Sequence, residues 1–361
     1  MAAAMTRTPW WAWAWPSMAW VILVIIGFAG ATGVIAVAAG IVLIGTVFAA
    51  VYHAELVAHR IGEPFGTLVL AVAVTVIEVA LIVAIMLGFA ADKAGLARDT
   101  VFAAVMIVCN GIVGMCLLAG GVRHHEQGFQ LQGASAALAV LAALTVLTLV
   151  VPNFTTSTPG PTFNQSQLVF AGAVSLVLYG SFIFVQTVRH RDYFLPVNGA
   201  SEEVHAPLPS NRMALVSAVL LAVALIAIVA LAKSLTPALE SIIAWLGAPK
   251  AVIGVAIALL VLLPEGLAAL RAASGNRLQT SLNLALGSAL ASIGLTIPAV
   301  AAVSIMLDQP LALGLGVKDM VLLALTLLVG VITLGTGRTT VLQGIVHLVI
   351  FATFLFLAVI P

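Results

Sequence analysis

Two glutamates occupy positions where a carboxyl group is costly. Glu78 follows Thr75-Val76-Ile77 and Glu265 follows Leu263-Pro264, so each lies deep in a long apolar stretch. The chain has 13 acidic residues, and the other 11 fall in polar breaks or at the ends of such stretches. A carboxyl group at mid-bilayer costs at least about 2.5 kcal/mol, so such a residue usually has a function. The chemistry that these two residues offer is the binding of a cation or a proton.

The composition predicts that the apolar stretches lie in a membrane. Of the 361 residues 63% are apolar and only 7% are charged, whereas roughly 25% are charged in an ordinary soluble domain. A soluble enzyme, a nucleic-acid-binding protein and a disordered chain are therefore excluded. Cys109 and Cys116 are about 10 Å apart on one helix, so they imply neither a disulfide nor a metal site. We expect an all-α polytopic membrane protein without a cofactor.

Eleven stretches are long enough to span a bilayer, since a spanning helix needs about 20 mostly apolar residues. They are residues 10–30, 32–58, 65–90, 99–121, 133–151, 164–188, 211–232, 249–272, 278–306, 318–336 and 340–360. Apolar character continues beyond the first stretch, so we interpret it as an uncleaved helix and not as a signal peptide. Nine Lys and Arg residues on one side against five on the other favour a cytoplasmic N-terminus and an external C-terminus. The Ala, Gly, Val and Leu bias suggests a bacterial plasma membrane.

The chain divides into two halves that resemble each other. A polar segment, 189–210, is predicted to be a cytoplasmic linker between residues 32–188 and 211–361, and residues 1–31 form an additional first helix. Each glutamate helix is followed by a helix with polar residues, and alignment of Arg98 with Arg277 brings Asn110 close to Ser288. Because five helices separate the two copies, they would enter the membrane from opposite sides. This is the inverted-repeat layout of secondary transporters, which bind their substrates near the midplane.

Several neutral polar residues are predicted to support the two glutamates. Thr75 lies on the same helix face as Glu78, since residues three apart share a face. The others are Asn110, Asn283, Ser288 and Ser292. For the serines, close helix packing is an equally good interpretation. Pro264 either frees the carbonyl of Leu260 for a cation or only kinks the helix.

Two histidine-containing segments are predicted to have other roles. His53, Glu55 and His59 lack the order of a metalloprotease motif, and the two histidines point to different sides of a helix. We expect this segment to be a charged cytoplasmic turn between the second and third helices. His347, on the last helix, is predicted to be a polar contact that faces the helix bundle.

These residues resemble the bacterial calcium/sodium:proton antiporters of the cation/calcium exchanger superfamily. The matching segments are His53–Gly66, Val74–Ile82, Pro264–Ala272, Asn283–Ser288 and Thr336–Thr339. The resemblance implies eleven helices, arranged as an extra first helix and two inverted five-helix repeats. It also implies export of Ca²⁺, Na⁺ or K⁺ against protons, with Glu78 and Glu265 as the cation-binding glutamates of the two repeats. The residues beside them are more apolar than the Gly-Asn/Thr-x-x-Glu pattern of the wider superfamily.

The expected activity is exchange of cytoplasmic Ca²⁺ for external protons by alternating access. One Ca²⁺ or two protons would neutralise a pair of buried glutamates, and oxygen ligands from the polar residues would complete the Ca²⁺ shell. A Na⁺(K⁺)/H⁺ antiporter is the alternative, and a cation channel would more often use rings of acids in an oligomer. We expect no enzyme activity, because the apolar stretches contain no nucleophile–base pair. The expected partners are inorganic cations, protons and the lipid bilayer, with no nucleic acid, and the oligomeric state is left open.

Overall fold

The computed structural model describes residues 8–62, 65–88, 94–195, 208–247, 249 and 251–361. Within them the chain forms eleven helices, which confirms the predicted all-α class. Their bounds are α1 Trp10–Ala29, α2 Gly33–Ile61, α3 Phe65–Gly88, α4 Leu96–His124, α5 Leu131–Phe154, α6 Gln165–Arg189, α7 Asn211–Leu246, α8 Ala251–Ser274, α9 Leu278–Leu307, α10 Val317–Leu334 and α11 Val341–Val359. Ten of these described helices are long and apolar enough to cross a membrane, and α3 contains the shorter apolar stretch Val72–Val83.

Three of the helices change their hydrogen-bond register. A π-helical turn occupies Ile107–Ile112 in the middle of α4. Another, Val146–Val150, precedes a final 3₁₀ turn in α5, and a third, Val185–Arg189, ends α6. Each π turn inserts one extra residue into the helix, and such insertions are frequent at functional sites. The turn in α4 matters most for the site because it contains Asn110.

Two of the predicted boundaries are wrong. Helix α7 continues to Leu246 and does not end at residue 232. The prediction ended it before Lys233, but a long Lys side chain can carry its charge away from an apolar helix. The segment from His53 to Ile61 is the end of α2 and not a turn, and His53 is fully buried. Of the predicted linker 189–210, residues 196–207 lie outside the described part of the chain.

The contact between α1 and α2 explains why His53 is buried. Pro16 lies inside α1, and its missing N–H leaves the carbonyl of Ala12, four residues earlier, without its helical partner. The His53 Nε2 lies 3.0 Å from that carbonyl oxygen and donates to it. Nearby, Gly45 packs against the ring of Trp15 so closely that a Cβ atom at this position would overlap the ring. A buried side chain therefore compensates for the proline.

The described helices form two compact units. The first contains α1, α2, α3 and α7. The second contains α4, α5, α6 and α8 to α11, and α4 is its central helix because every residue from Thr100 to Gly114 is buried. Each unit thus combines helices from both predicted halves of the sequence.

Within the second unit, the connections between helices make two short β contacts. Gln127–Gly128, after α4, pairs antiparallel with Arg338–Thr339, before α11. Thr162, between α5 and α6, forms an isolated bridge with Ala312, between α9 and α10. The first half contains α2 to α6 and the second contains α7 to α11. In each contact, the connection after the third helix of one half (α4 or α9) pairs with the connection after the fourth helix of the other (α10 or α5). The contacts are therefore reciprocal between the halves.

Candidate functional site

Glu78 is a buried residue of the first unit. Its side chain is 3% exposed, and Thr75, one helical turn earlier, is 6% exposed. Helix α3, which carries both, packs against α2 and α7. The structure therefore places a carboxyl group and a hydroxyl group on the same buried face of α3.

Glu265 belongs to the second unit and lies in the middle of α8, directly after Pro264. The proline removes one helical hydrogen bond, which frees the carbonyl of Leu260 for another donor or for a cation. On the other side of Glu265, Gly266 packs against Ile112, and a Cβ atom at Gly266 would lie 3.0 Å from the Ile112 Cδ1. The π-helical turn of α4 therefore lies against the residue that follows Glu265.

Asn110, in the same π-helical turn, is fully buried and joins two other helices, α10 and α11. Its Nδ2 donates to Thr326 Oγ1 at 2.9 Å, and its Oδ1 lies 3.1 Å from His347 Nδ1. His347 Nε2 in turn lies 3.2 Å from Thr333 Oγ1, and Thr326 Oγ1 donates to Met106 Sδ at 3.4 Å. We call Met106, Asn110, Thr326, Thr333 and His347 the Asn110 network.

Hydrogen-bonding roles in the Asn110 network follow from its members. An amide oxygen only accepts, so His347 must carry its proton on Nδ1 and donate it to Asn110. The imidazole Nε2 then accepts from the Thr333 hydroxyl. Every hydrogen bond in the network points in the same direction, from Thr333 through His347 and Asn110 to Thr326 and Met106. The prediction that His347 makes a buried polar contact is confirmed.

Asn283 has different hydrogen-bond partners from Asn110. Its Nδ2 donates to the carbonyl oxygen of Phe194 at 2.7 Å, and its Oδ1 accepts from Gln279 at 2.9 Å. Phe194 is the last residue of a short 3₁₀ turn, Arg191–Phe194, and its ring packs edge-to-face on Phe182. Asn283 therefore anchors the described beginning of the predicted linker to α9.

The two predicted serines lie farther along α9. Ser288 is half-buried and Ser292 is 3% exposed. Ser292 lies nine positions after Asn283, which corresponds to about 13 Å along a helix. The predicted polar residues of α9 are thus spread along it. In the described part of the chain, no three His, Cys, Asp or Glu side chains lie close enough to hold a metal ion.

Thr326 and Thr333 are two polar partners that sequence reasoning did not identify. They are seven residues apart on α10, so they lie on one face two turns from each other, and both are buried. That spacing is the only signal in the sequence that could have indicated them. Thr326 bonds to Asn110, 216 positions away in the chain, and Thr333 bonds to His347 on the next helix.

Comparison with known proteins identifies the family. The sequence model of the family described as sodium/calcium exchanger protein matches residues 30–188 and 216–360. The chain belongs to this exchanger family. The two matched stretches nearly coincide with the predicted halves 32–188 and 211–361. The protein is therefore a multi-pass membrane transporter of the cation exchanger class.

Relatives of this exchanger span most of its length. It is 57% identical over 320 residues to the putative ionic transporter y4hA of Sinorhizobium fredii, covering 88% of this chain and 87% of that protein. It is 37% identical over 317 residues to the sodium-potassium/proton antiporter ChaA of Escherichia coli, covering 87% and 85%. These relatives are transporters.

Solved structures share its fold. Native YfkE has a TM-score of 0.75 at 16% identity and covers 97% of this chain and 100% of that one. The H⁺/Ca²⁺ exchanger CAX has a TM-score of 0.72 at 15% identity and covers 96% and 87%. The exchanger thus has the helical fold of both proteins.

Proposed function

We propose that this exchanger is a cation/proton antiporter that exports cytoplasmic Ca²⁺, Na⁺ or K⁺ against protons from outside. In this proposal Glu78 and Glu265 bind the cation and the protons in turn. The observation that carries it is that each half of the sequence places one carboxyl group in the middle of its second helix, α3 or α8, among apolar residues. A purely structural helix has no need of such a group.

Charge balance makes the exchange obligatory. Two ionised carboxylates in a medium of low dielectric constant are costly, and either one Ca²⁺ or two protons remove that cost. Both loaded forms can change conformation, whereas the empty charged form is penalised. One ion must therefore leave before the other takes its place. The protons bind to the coupled pair rather than to one glutamate.

Neutral oxygens would complete the shell around the cation. Ca²⁺ takes six to eight oxygen ligands, so two glutamates are not enough. We propose that Thr75, Ser288, Ser292 and the freed carbonyl of Leu260 contribute, with Asn110 and Asn283 as supporting polar residues. The contacts of Asn110 with Thr326 and His347 support a role in shaping the site.

Alternating access would use the two halves as inverted repeats. The two matched stretches of the family model and the reciprocal β contacts support this arrangement. We propose that the protein lies in the bacterial inner membrane with its N-terminus in the cytoplasm and its C-terminus outside. Residues 189–210 would then be cytoplasmic.

The transported cation is either Ca²⁺ or a monovalent cation, Na⁺ or K⁺. A pair of glutamates matches the double charge of Ca²⁺, which favours calcium. The name of the 37% identical relative, a sodium-potassium/proton antiporter, favours Na⁺ and K⁺. A monovalent cation would bind with a proton remaining on one glutamate.

The deciding experiment measures proton release from inverted membrane vesicles that have been energised to an acid interior. Ca²⁺, Na⁺ and K⁺ are added in turn to vesicles with the wild-type protein, Glu78→Gln or Glu265→Gln. We expect at least one cation to collapse the pH gradient in the wild type, and a loss of at least about 100-fold in each variant, because a neutral amide cannot exchange a proton for a cation.

Glu126→Gln is the matched control. Glu126 is half-exposed at the surface, and its carboxylate lies 3.5 Å from Arg338, so its loss should leave the exchange unchanged. If no cation releases protons from wild-type vesicles, the antiporter proposal is wrong. If both buried-glutamate variants behave as the wild type, the roles of Glu78 and Glu265 are wrong.

A further inference from the structure

We infer that His347 is a positioning residue for cation transport, which acts through Asn110 on the turn of α4 that packs on Gly266, the residue after Glu265. This inference rests on the proposed function. His347 is 1% exposed, lies on the last helix and has neither a carboxylate nor an exposed path to bind a cation itself. Its effect must therefore pass through its neighbours.

The first step is the orientation of the Asn110 amide. An isolated amide can rotate by 180° and exchange its oxygen and nitrogen positions. Here the His347 Nδ1–H requires an acceptor, which in the orientation that the structure shows is the Asn110 amide oxygen. The Thr326 hydroxyl donates to Met106 and accepts from the Asn110 amide nitrogen. The reverse orientation would need the imidazole proton on Nε2 and would cost the Thr326 hydroxyl its bond to Met106. Thr333 completes the arrangement, because its donation to Nε2 keeps the imidazole proton on Nδ1.

The second step is the position of the π-helical turn. On one side it meets α11, where Asn110 bonds to His347. Two residues after the turn, Gly114 keeps the backbone close to α11, since a Cβ atom there would lie 3.1 Å from the His347 Cβ. On the other side, Ile112 packs on Gly266, the residue after Glu265. The turn is thus held between His347 and the glutamate helix. A change at His347 should therefore loosen the packing of Ile112 on Gly266, directly after Glu265.

This position predicts an effect on cation affinity. If His347 only stabilised the fold, its loss would reduce the amount of active protein but leave the half-saturating cation concentration unchanged. As a positioning residue it sets that concentration. We expect His347→Leu to raise it roughly five- to tenfold, the size that corresponds to one lost buried hydrogen bond.

The experiment measures half-saturating cation concentration and maximal rate in the same inverted vesicles. His347→Asn should restore the concentration to within about twofold of wild type, because its amide N–H can take the place of Nδ1 and donate to Asn110. Thr353→Val is the control, since Thr353 lies on the same helix but is exposed and donates to the Val349 carbonyl of its own helix. Melting temperatures of the purified proteins show whether each variant folds.

The outcomes separate this inference from the proposed function. An unchanged half-saturating concentration in folded His347→Leu, with only the maximal rate reduced, overturns the inference and leaves the antiporter proposal intact. If His347→Leu does not fold, Thr333→Val decides, because it removes only the hydroxyl donor to Nε2 and should raise the concentration roughly two- to fivefold. No exchange by the wild type overturns the proposed function and the inference together.

Discussion

At the scale of single residues, Asn110 and Asn283 show how similar side chains serve different purposes. Both lie on the helix that follows a glutamate helix. Asn110 joins α4 to α10 and α11 inside the second unit, whereas Asn283 holds the backbone of Phe194 at the beginning of the linker. The residue type alone does not distinguish these roles, because an amide bonds equally well to a side chain or to the backbone.

The anchoring role of Asn283 predicts a change in proteolysis. Asn283→Ala removes the hydrogen bond to Phe194, which should loosen the 3₁₀ turn and speed tryptic cleavage after Arg191 roughly fivefold, as expected for about 1 kcal/mol of local stability. Cleavage is followed by gel electrophoresis of the purified protein. Ser288→Ala, on the same helix, should leave the rate unchanged. Equal rates in wild type and Asn283→Ala would contradict the anchoring role.

The sequence was sufficient to find the glutamates but not their environment. Glu78 and Glu265 were evident because a carboxyl group in an apolar helix is rare. The Asn110 network was not, since Thr326 and His347 lie 216 and 237 positions from Asn110. Such distant pairs are decided by the packing of helices, which a single sequence does not reveal.

At the scale of helices, the α1–α2 contact is the clearest case of mutual compensation. Pro16 leaves the Ala12 carbonyl without a helical donor, and His53 supplies one from the neighbouring helix. A buried carbonyl that is left without a donor costs about 1–3 kcal/mol. Pro16 and His53 are therefore energetically coupled although they are far apart in the chain.

This coupling predicts a double-mutant cycle. His53→Leu should lower the melting temperature of the purified protein by roughly 2–5 °C, because it leaves the Ala12 carbonyl unsatisfied at a cost of about 1–3 kcal/mol. In the Pro16→Ala background the same change should cost much less, since the introduced alanine has the N–H that donates to the Ala12 carbonyl. The same loss in both backgrounds would show that the two residues are independent.

Helix positions were predicted well, and helix ends less so. Long apolar stretches indicated all eleven helices, because a spanning helix must be apolar along its length. The predicted end of α7 was too early because a charged residue, Lys233, is an unreliable boundary. The π-helical turn in α4 was not predictable, since an inserted residue changes the hydrogen-bond register and leaves composition unaltered.

At the scale of the whole molecule, the reciprocal β contacts predict which loops share a side of the membrane. One contact joins the connection after α4 to the connection before α11, and the other joins the connections before α6 and before α10. Helix α5 leads from the first contact to the second and is about 36 Å long. The two contacts should therefore face opposite sides of the bilayer.

Cysteine labelling tests this prediction. Arg338→Cys and Ser157→Cys place single exposed thiols beside the two contacts, and the native Cys109 and Cys116 are buried in α4. A membrane-impermeant maleimide should label position 338 only in inverted vesicles and position 157 only in intact spheroplasts. The wild-type chain controls for labelling of the buried thiols. Labelling of both positions from the same side would contradict the inverted arrangement.

The compensation at Pro16 also bears on how the chain is made. During synthesis α1 leaves the ribosome before α2, while its Ala12 carbonyl has no donor, and His53 emerges only near the end of α2. Insertion of α1 alone into lipid would expose that carbonyl, whereas insertion of both helices as a hairpin would not. The short connection between Ala29 and Gly33 permits such a hairpin. The nascent exchanger therefore favours insertion of its first two helices as one piece.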